Sequence, residues 1–176
     1  GLSGPGGPDG FLVDTLAGVE HSTWAGRLLF VSFFFAFAIK APMWPVHTWL
    51  PDAAEQAPAG TNVLLVGVLD KVGTFGMMTL CLTLFPEAAR WAAPVVIALA
   101  VVSILYGAFL AIGQEDLMRL IAYTSVSHFG FIVLGIFAFT SVSLTGASLY
   151  MLTHGLSTGA LFLLAGFLVR RWGTAR

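Results

Sequence analysis

Cysteine is almost missing from this sequence. Cys81 stands alone in an apolar stretch, so an internal disulfide, a CxxC pair and an iron–sulfur ligand set are all excluded. Charge is scarce as well: 10% of the 176 residues are charged and the net charge is −1, against about 25% charged residues in ordinary soluble domains. A nucleic-acid binder needs a basic face, and this balance supplies none, so no nucleic-acid partner is expected. Also lacking are a G-x-G-x-x-G run after a strand, a P-loop, and a Ser/His/Asp set on a soluble scaffold. Any redox chemistry must therefore belong to a partner. The sequence starts on Gly1 without signal-peptide anatomy and reads as an excerpt of a longer product.

What is present is apolar: 57% of the residues are hydrophobic and mean hydropathy is +0.89. The expected fold is all-α, a polytopic transmembrane bundle of about five spans. Gly/Pro-rich residues 1–10, which include Asp9 and are followed by Asp14 and Glu20, predict an aqueous loop over 1–23, with a short amphipathic turn around Phe11 to Leu16. The spans are expected over residues 24–43 with a half-helix at 46–54, then 61–85, 91–112, 120–140 and 144–169, each apolar run being of a length that crosses ~30 Å of hydrocarbon. Arg119, Arg170, Arg171 and Arg176 fall on one side, against Arg27 and Arg90 on the other, which places the first group in the cytoplasm.

The most informative stretch is FFFAFAIKAPMWPVHTWLP, residues 33–51. It drives an apolar helix into Lys40 and then breaks it with Pro42 and Pro45, each of which removes a backbone N–H and crowds the carbonyl four residues back. The carbonyls of Ala38 and Ala41 are expected to lose their helical partners beside a charge. Backbone of that kind is tolerated at membrane depth where it is buried in protein or lines a wet cavity, as at the ion sites of transporters. Snorkelling of Lys40 from a helix end is the competing reading. His47, Asp52 and Glu55 polarise the connector after the break.

A second lysine, Lys71, sits near the centre of the next span beside Asp70. A central lysine costs roughly 2.5–3.5 kcal/mol on insertion scales, and such groups face a bundle interior or cavity. A structural salt bridge would explain Lys71, but Asp70, being adjacent, points about 100° away round the helix and is a poor direct partner. His128 and His154 lie in the fourth and fifth spans and titrate near neutrality, so they can relay protons; each taken alone also fits a satisfied core histidine. Ser125 and Ser127 either orient His128 or bond their own helix carbonyls. Gly155 and Gly159 form a small-xxx-small pair suited to close helix packing. The chemistry these residues suggest is proton translocation through Lys40, Lys71, His128 and His154, with His47, Asp52, Asp70 and Ser127 as accessory groups and no metal or cofactor bound by this chain.

The segments FFFAFAIKAPMWPVHTWLPDAAEQAP, LDKVGTFGM, GQEDLMRLIAYTSVSHFGF and LYMLTHGLSTGALFLLAGF together resemble the antiporter-like subunit M family of proton-pumping NADH:quinone oxidoreductase, respiratory complex I, within the superfamily shared with multisubunit cation/proton antiporters. The AEQAPAGTNVLL run leading to Lys71 favours the M type over its sisters. The resemblance implies inverted repeats of five helices with discontinuous helices at their centres. It implies Lys40 as the central proton-site lysine, Lys71 as the lysine connecting it along the next helix, and His128 and His154 on a hydrated axis. It also implies a glutamate paired with Lys40 and an exit-side acid or lysine, both outside this sequence. NAD, FMN, iron–sulfur clusters and quinone are then expected in partner subunits, other membrane subunits and the lipid bilayer as surroundings, and a bacterial plasma membrane as location. A subunit of a multisubunit sodium/proton antiporter is the alternative.

Overall fold

The computed structural model describes residues 12–17, 19 and 22–175. Most of the loop expected over 1–23 lies outside these residues, as does Arg176; within that loop, Val13–Ala17 forms a short helix, α1. Among the described residues there are no strands, and five helices are long and apolar enough to cross a membrane, so the chain is an all-α polytopic bundle.

The first crossing, α2, spans Thr23–Lys40 and opens on Ser22, whose Oγ accepts from the Ala25 N–H at 3.3 Å, satisfying one of the orphan donors of a helix start. It stops at Lys40, short of the expected Met43, because Pro42 has no N–H to continue the ladder. Of the two carbonyls expected to lose their helical partners, that of Ala38 takes a new one. Met43 N–H reaches Ala38 O at 3.4 Å, and the Trp49 indole donates to Ile39 O at 2.9 Å. The connector is tied to the bundle by Trp44 N–H on Ser103 Oγ at 3.2 Å, the same hydroxyl donating to Val126 O at 3.2 Å. The half-helix forms at Trp49–Gln56, α3, later than 46–54.

The second crossing, α4, spans Ala59–Leu84 and contains two π-helical turns, Leu65–Leu69 and Met77–Cys81. Each π turn accommodates one residue more than an α turn and so re-aims the side chains on its C-terminal side. The third, α5, spans Pro86–Ile112 with its proline in the first turn, where the missing N–H costs nothing. The fourth, α6, is Leu117–Phe137, capped by Asp116 on Arg119 N–H at 2.9 Å. The fifth, α7, is Ser141–Trp172, started by a reciprocal Thr140–Ser143 capping box and ended by left-handed Gly173 at φ 73°.

Helix α6 is the centre of the bundle. Its buried residues Ala122, Val126, Phe129, Ile132 and Val133 meet α5 on one side and α7 on the other. In lipid the hydrophobic effect does not drive such contacts, so close packing and hydrogen bonding must. Glycine permits it: a Cβ at Gly107 of α5 would lie 2.7 Å from Ser127 N, and one at Gly155 of α7 would lie 2.6 Å from Gly67 O of α4. Helix α2, by contrast, leaves Leu28, Val31 and Phe35 exposed, as a helix does when it faces lipid or a neighbouring membrane segment.

Candidate functional site

Ionisable side chains of α2, α4, α6 and α7 converge inside the bundle. Lys40, at the end of α2, points its Nζ at Asp70 Oδ1 of α4, 3.9 Å away, and lies 5.7 Å over the Trp49 ring. The side chain thus reaches toward the bundle while 38% of its surface stays exposed. Asp70 is fully buried, with neither carboxylate oxygen accepting a hydrogen bond from a described residue.

Lys71 turns the other way, as adjacency on a helix requires. Its ammonium donates to Val66 O and to His154 Nδ1, the latter at 2.9 Å, and lies 5.0 Å over the Phe129 ring. The first π turn makes this arrangement: Asp70 N–H bonds Leu65 O at 3.0 Å instead of the α-helical Val66 O, leaving the Val66 carbonyl to the lysine. Because the ammonium donates to His154 Nδ1, the neutral ring carries its proton on Nε2, and Nε2 is buried without a partner among the described residues.

The His154 and His128 rings lie 5.1 Å apart between centroids. His128 Nδ1 meets the Tyr150 hydroxyl, which comes from α7 one turn before His154. The side chains therefore form a row: Lys40 and Asp70, then Lys71, His154, His128 and Tyr150. Tyr150 is not singled out by the sequence; its signal is the Tyr-x-x-x-His spacing, which puts both rings on one helix face.

Ser127 and Ser125, expected beside His128, serve elsewhere. Ser127 Oγ donates to Ile104 O of α5 at 2.9 Å and Ser125 Oγ to Ile121 O of its own helix at 3.0 Å. His47 and Asp52 also stand apart from the row. His47 is buried against Tyr106, ring centroids 5.2 Å apart, and near Tyr123 at 6.3 Å. It belongs to the connector between helices, and burial pushes its imidazole below the ordinary histidine range, which keeps it neutral at pH 7. Asp52 and Glu55 of α3 accept from Arg119 Nη1 of α6 at 2.7 and 2.8 Å, and the guanidinium lies 5.9 Å from the Tyr123 ring. Among the described residues no group of three His, Cys, Asp or Glu is placed to hold a metal ion.

A bundle of membrane-crossing helices that buries a run of lysine, carboxylate and imidazole groups defines a class: polytopic membrane proteins whose interior carries titratable side chains, the kind that marks ion pathways and proton relays. Residues 11–176 match the family model described as NADH:quinone oxidoreductase/Mrp antiporter, TM, and the chain belongs to that family. It is 57% identical over 148 residues to NADH-quinone oxidoreductase subunit M of Mycobacterium tuberculosis, covering 84% of this chain and 27% of that protein. With the Escherichia coli subunit M it shares 44% identity over 161 residues, 92% of this chain and 32% of the relative. The chain thus spans about a third or less of the length of these relatives. Among solved structures, respiratory complex I from Thermus thermophilus with bound NADH matches with a TM-score of 0.88 at 37% identity, covering 94% of this chain and 36% of that one. The Mrp complex from a Dietzia species matches at TM-score 0.81 and 27% identity, covering 88% and 29%.

Proposed function

We propose that this chain is part of a proton-translocating membrane subunit of an NADH:quinone oxidoreductase, in which quinone reduction on other subunits drives protons along the row from Lys40 to the histidines. The observation that carries this reading is the row itself: Lys40, Lys71, His154 and His128, contributed by four helices, approach one another inside a membrane bundle. NAD, FMN, iron–sulfur clusters and quinone belong in this scheme to partner subunits, with no electron carrier on this chain. The partners are the other membrane subunits, including sister antiporter-like ones, in a bacterial plasma membrane.

Within the scheme Lys40 is the loading site. A carboxylate close to an ammonium holds its proton in place, and withdrawal of that carboxylate releases it. The proton then passes by water to Lys71 once the Lys71 ammonium, whose Nζ–H points at His154 Nδ1, has given up its own proton there. Transfer there breaks the N–H bond at Nζ and forms one at Nδ1, and the His128 ring beside it offers the next acceptor.

The deciding experiment replaces Lys40 with Ala in the whole assembled complex and measures protons pumped per NADH oxidised. Loss of pumping with assembly intact is expected; pumping at the normal stoichiometry overturns the scheme. A scaffold with merely structural lysines would oxidise NADH without any proton uptake into proteoliposomes attributable to this subunit, before or after the substitution. The likeness to the Mrp complex at TM-score 0.81 supports a second reading, a sodium/proton antiporter subunit without a redox partner. Sodium-dependent proton exchange in vesicles without NADH oxidation would establish that one instead.

A further inference from the structure

Asp70 is an unusual residue to enclose in a membrane-crossing helix. Its side chain is fully buried, both oxygens lack a hydrogen-bond donor among the described residues, and a buried carboxylate without compensation is strongly disfavoured. Its compensation is electrostatic and comes from two sides. Lys40 faces it from α2 at 3.9 Å. Lys71, the next residue of α4, turns its ammonium away to Val66 O and His154 and acts on the carboxylate through space rather than by contact. His154 and His128 lie beyond Lys71 on α7 and α6.

We propose that Asp70 is the shared counter-ion of the two lysines, a positioning residue that keeps charge paired while a proton moves from Lys40 to Lys71. This rests on the proton-translocation reading of the row and adds a residue to it. The transfer breaks an N–H bond at Lys40 Nζ and forms one at Lys71 Nζ, with water between. The positive charge therefore leaves one flank of Asp70 and arrives at the other. Before and after the transfer the carboxylate has one ammonium near it, and while water carries the proton the positive charge still lies close to the same anion. The π turn Leu65–Leu69 is what permits a single carboxylate to serve both, by re-aiming α4 so that Asp70 addresses α2 while Lys71 addresses α7. The chain thereby carries within itself a carboxylate for Lys40, in addition to any supplied from outside it.

The test compares Asp70→Asn, Asp70→Leu and Asp70→Glu in the assembled complex, with pumping normalised to assembled enzyme. The apolar variant also removes the desolvation cost of a buried charge, so it guards against a folding defect of the amide. Without the carboxylate, the Lys40 ammonium loses the anion it faces at 3.9 Å, and pumping per assembled enzyme is expected to fall about tenfold in both Asp70→Asn and Asp70→Leu, with Asp70→Glu largely restoring it. In the Lys40→Ala background, Asp70→Asn is expected to add nothing. If Lys40→Ala abolishes pumping while Asp70→Asn and Asp70→Leu pump at the wild-type rate, the shared counter-ion is wrong and the row stands. If Lys40→Ala itself pumps normally, the underlying reading fails first.

Discussion

Tyr150 supplies the hydroxyl that fixes the orientation of His128, and it does so from the helix that also carries His154. A histidine relay works only if each ring nitrogen keeps a defined partner, since the bond at one nitrogen selects the tautomer and so the proton carried by the other. Removing the hydroxyl while keeping the ring should therefore cost what one such bond contributes, about 0.5–1.5 kcal/mol. Tyr150→Phe is expected to lower the pumping rate roughly two- to tenfold without changing the amount of assembled complex. A purely structural tyrosine would give the opposite pattern: less complex, but normal pumping per complex. Lys71→Ala should lose pumping with assembly intact, because its ammonium is the donor to His154 Nδ1; an assembly defect alone would mark it as a structural partner. The lysines and histidines are legible in the sequence because charge and imidazole are conspicuous in apolar runs. Tyr150 is not, since a tyrosine in a membrane span reads equally well as packing.

At the scale of the element, α4 and α7 approach so closely that glycine is needed at one position and merely tolerated at another. A Cβ at Gly155 would sit 2.6 Å from Gly67 O and 3.5 Å from Lys71 Cε, whereas one at Gly159 would meet nothing nearer than Val63 Cγ1 at 3.5 Å, an ordinary contact. Gly155→Ala should force the helices apart at a cost of about 1–3 kcal/mol and shift Lys71 away from His154. Gly159→Ala should be near neutral. Heat-inactivation of NADH-driven pumping in isolated membranes checks both; equal sensitivity of the two variants would show that the pair acts only as a generic small-residue stripe. The spacing of the glycines is visible in the sequence, but their inequality is not. It arises from the π turn Leu65–Leu69, which shifts the backbone facing Gly155 and for which the apolar residues LVGVL give no local signal. The same turn explains why Asp70 meets Lys40 across the bundle, a pairing of residues on separate helices that no helical periodicity encodes.

For the molecule as a whole, the five crossings are legible because each is a long, mainly apolar run, and their ends shift where caps rather than hydropathy decide them. Helix α5 begins at Pro86, because proline in the first turn starts a helix, and α7 runs on to Trp172 until Gly173 terminates it. The same ends fix orientation. Arg119 at the start of α6 and Arg170 and Arg171 at the end of α7 share one face, joined by the Leu117 N–H bond to Ala175 O at 2.9 Å. Arg27 stacks at 4.6 Å on Trp91 at the other face. By this charge bias the richer basic end is expected in the cytoplasm. Cys81, the one cysteine in these 176 residues, is fully buried, so this segment adds no accessible thiol of its own, and labelling is read as the gain over the unsubstituted protein. Glu115→Cys, in the exposed turn before α6, should react with a membrane-impermeant maleimide in inside-out vesicles and be protected in intact cells. Glu87→Cys, exposed in the first turn of α5, should show the reverse. The opposite labelling pattern would invert the bundle. Lys40, Asp70 and Lys71 would then reach the cytoplasm through the Arg27 end of the bundle, and Arg119 with Asp52 and Glu55 would face outward.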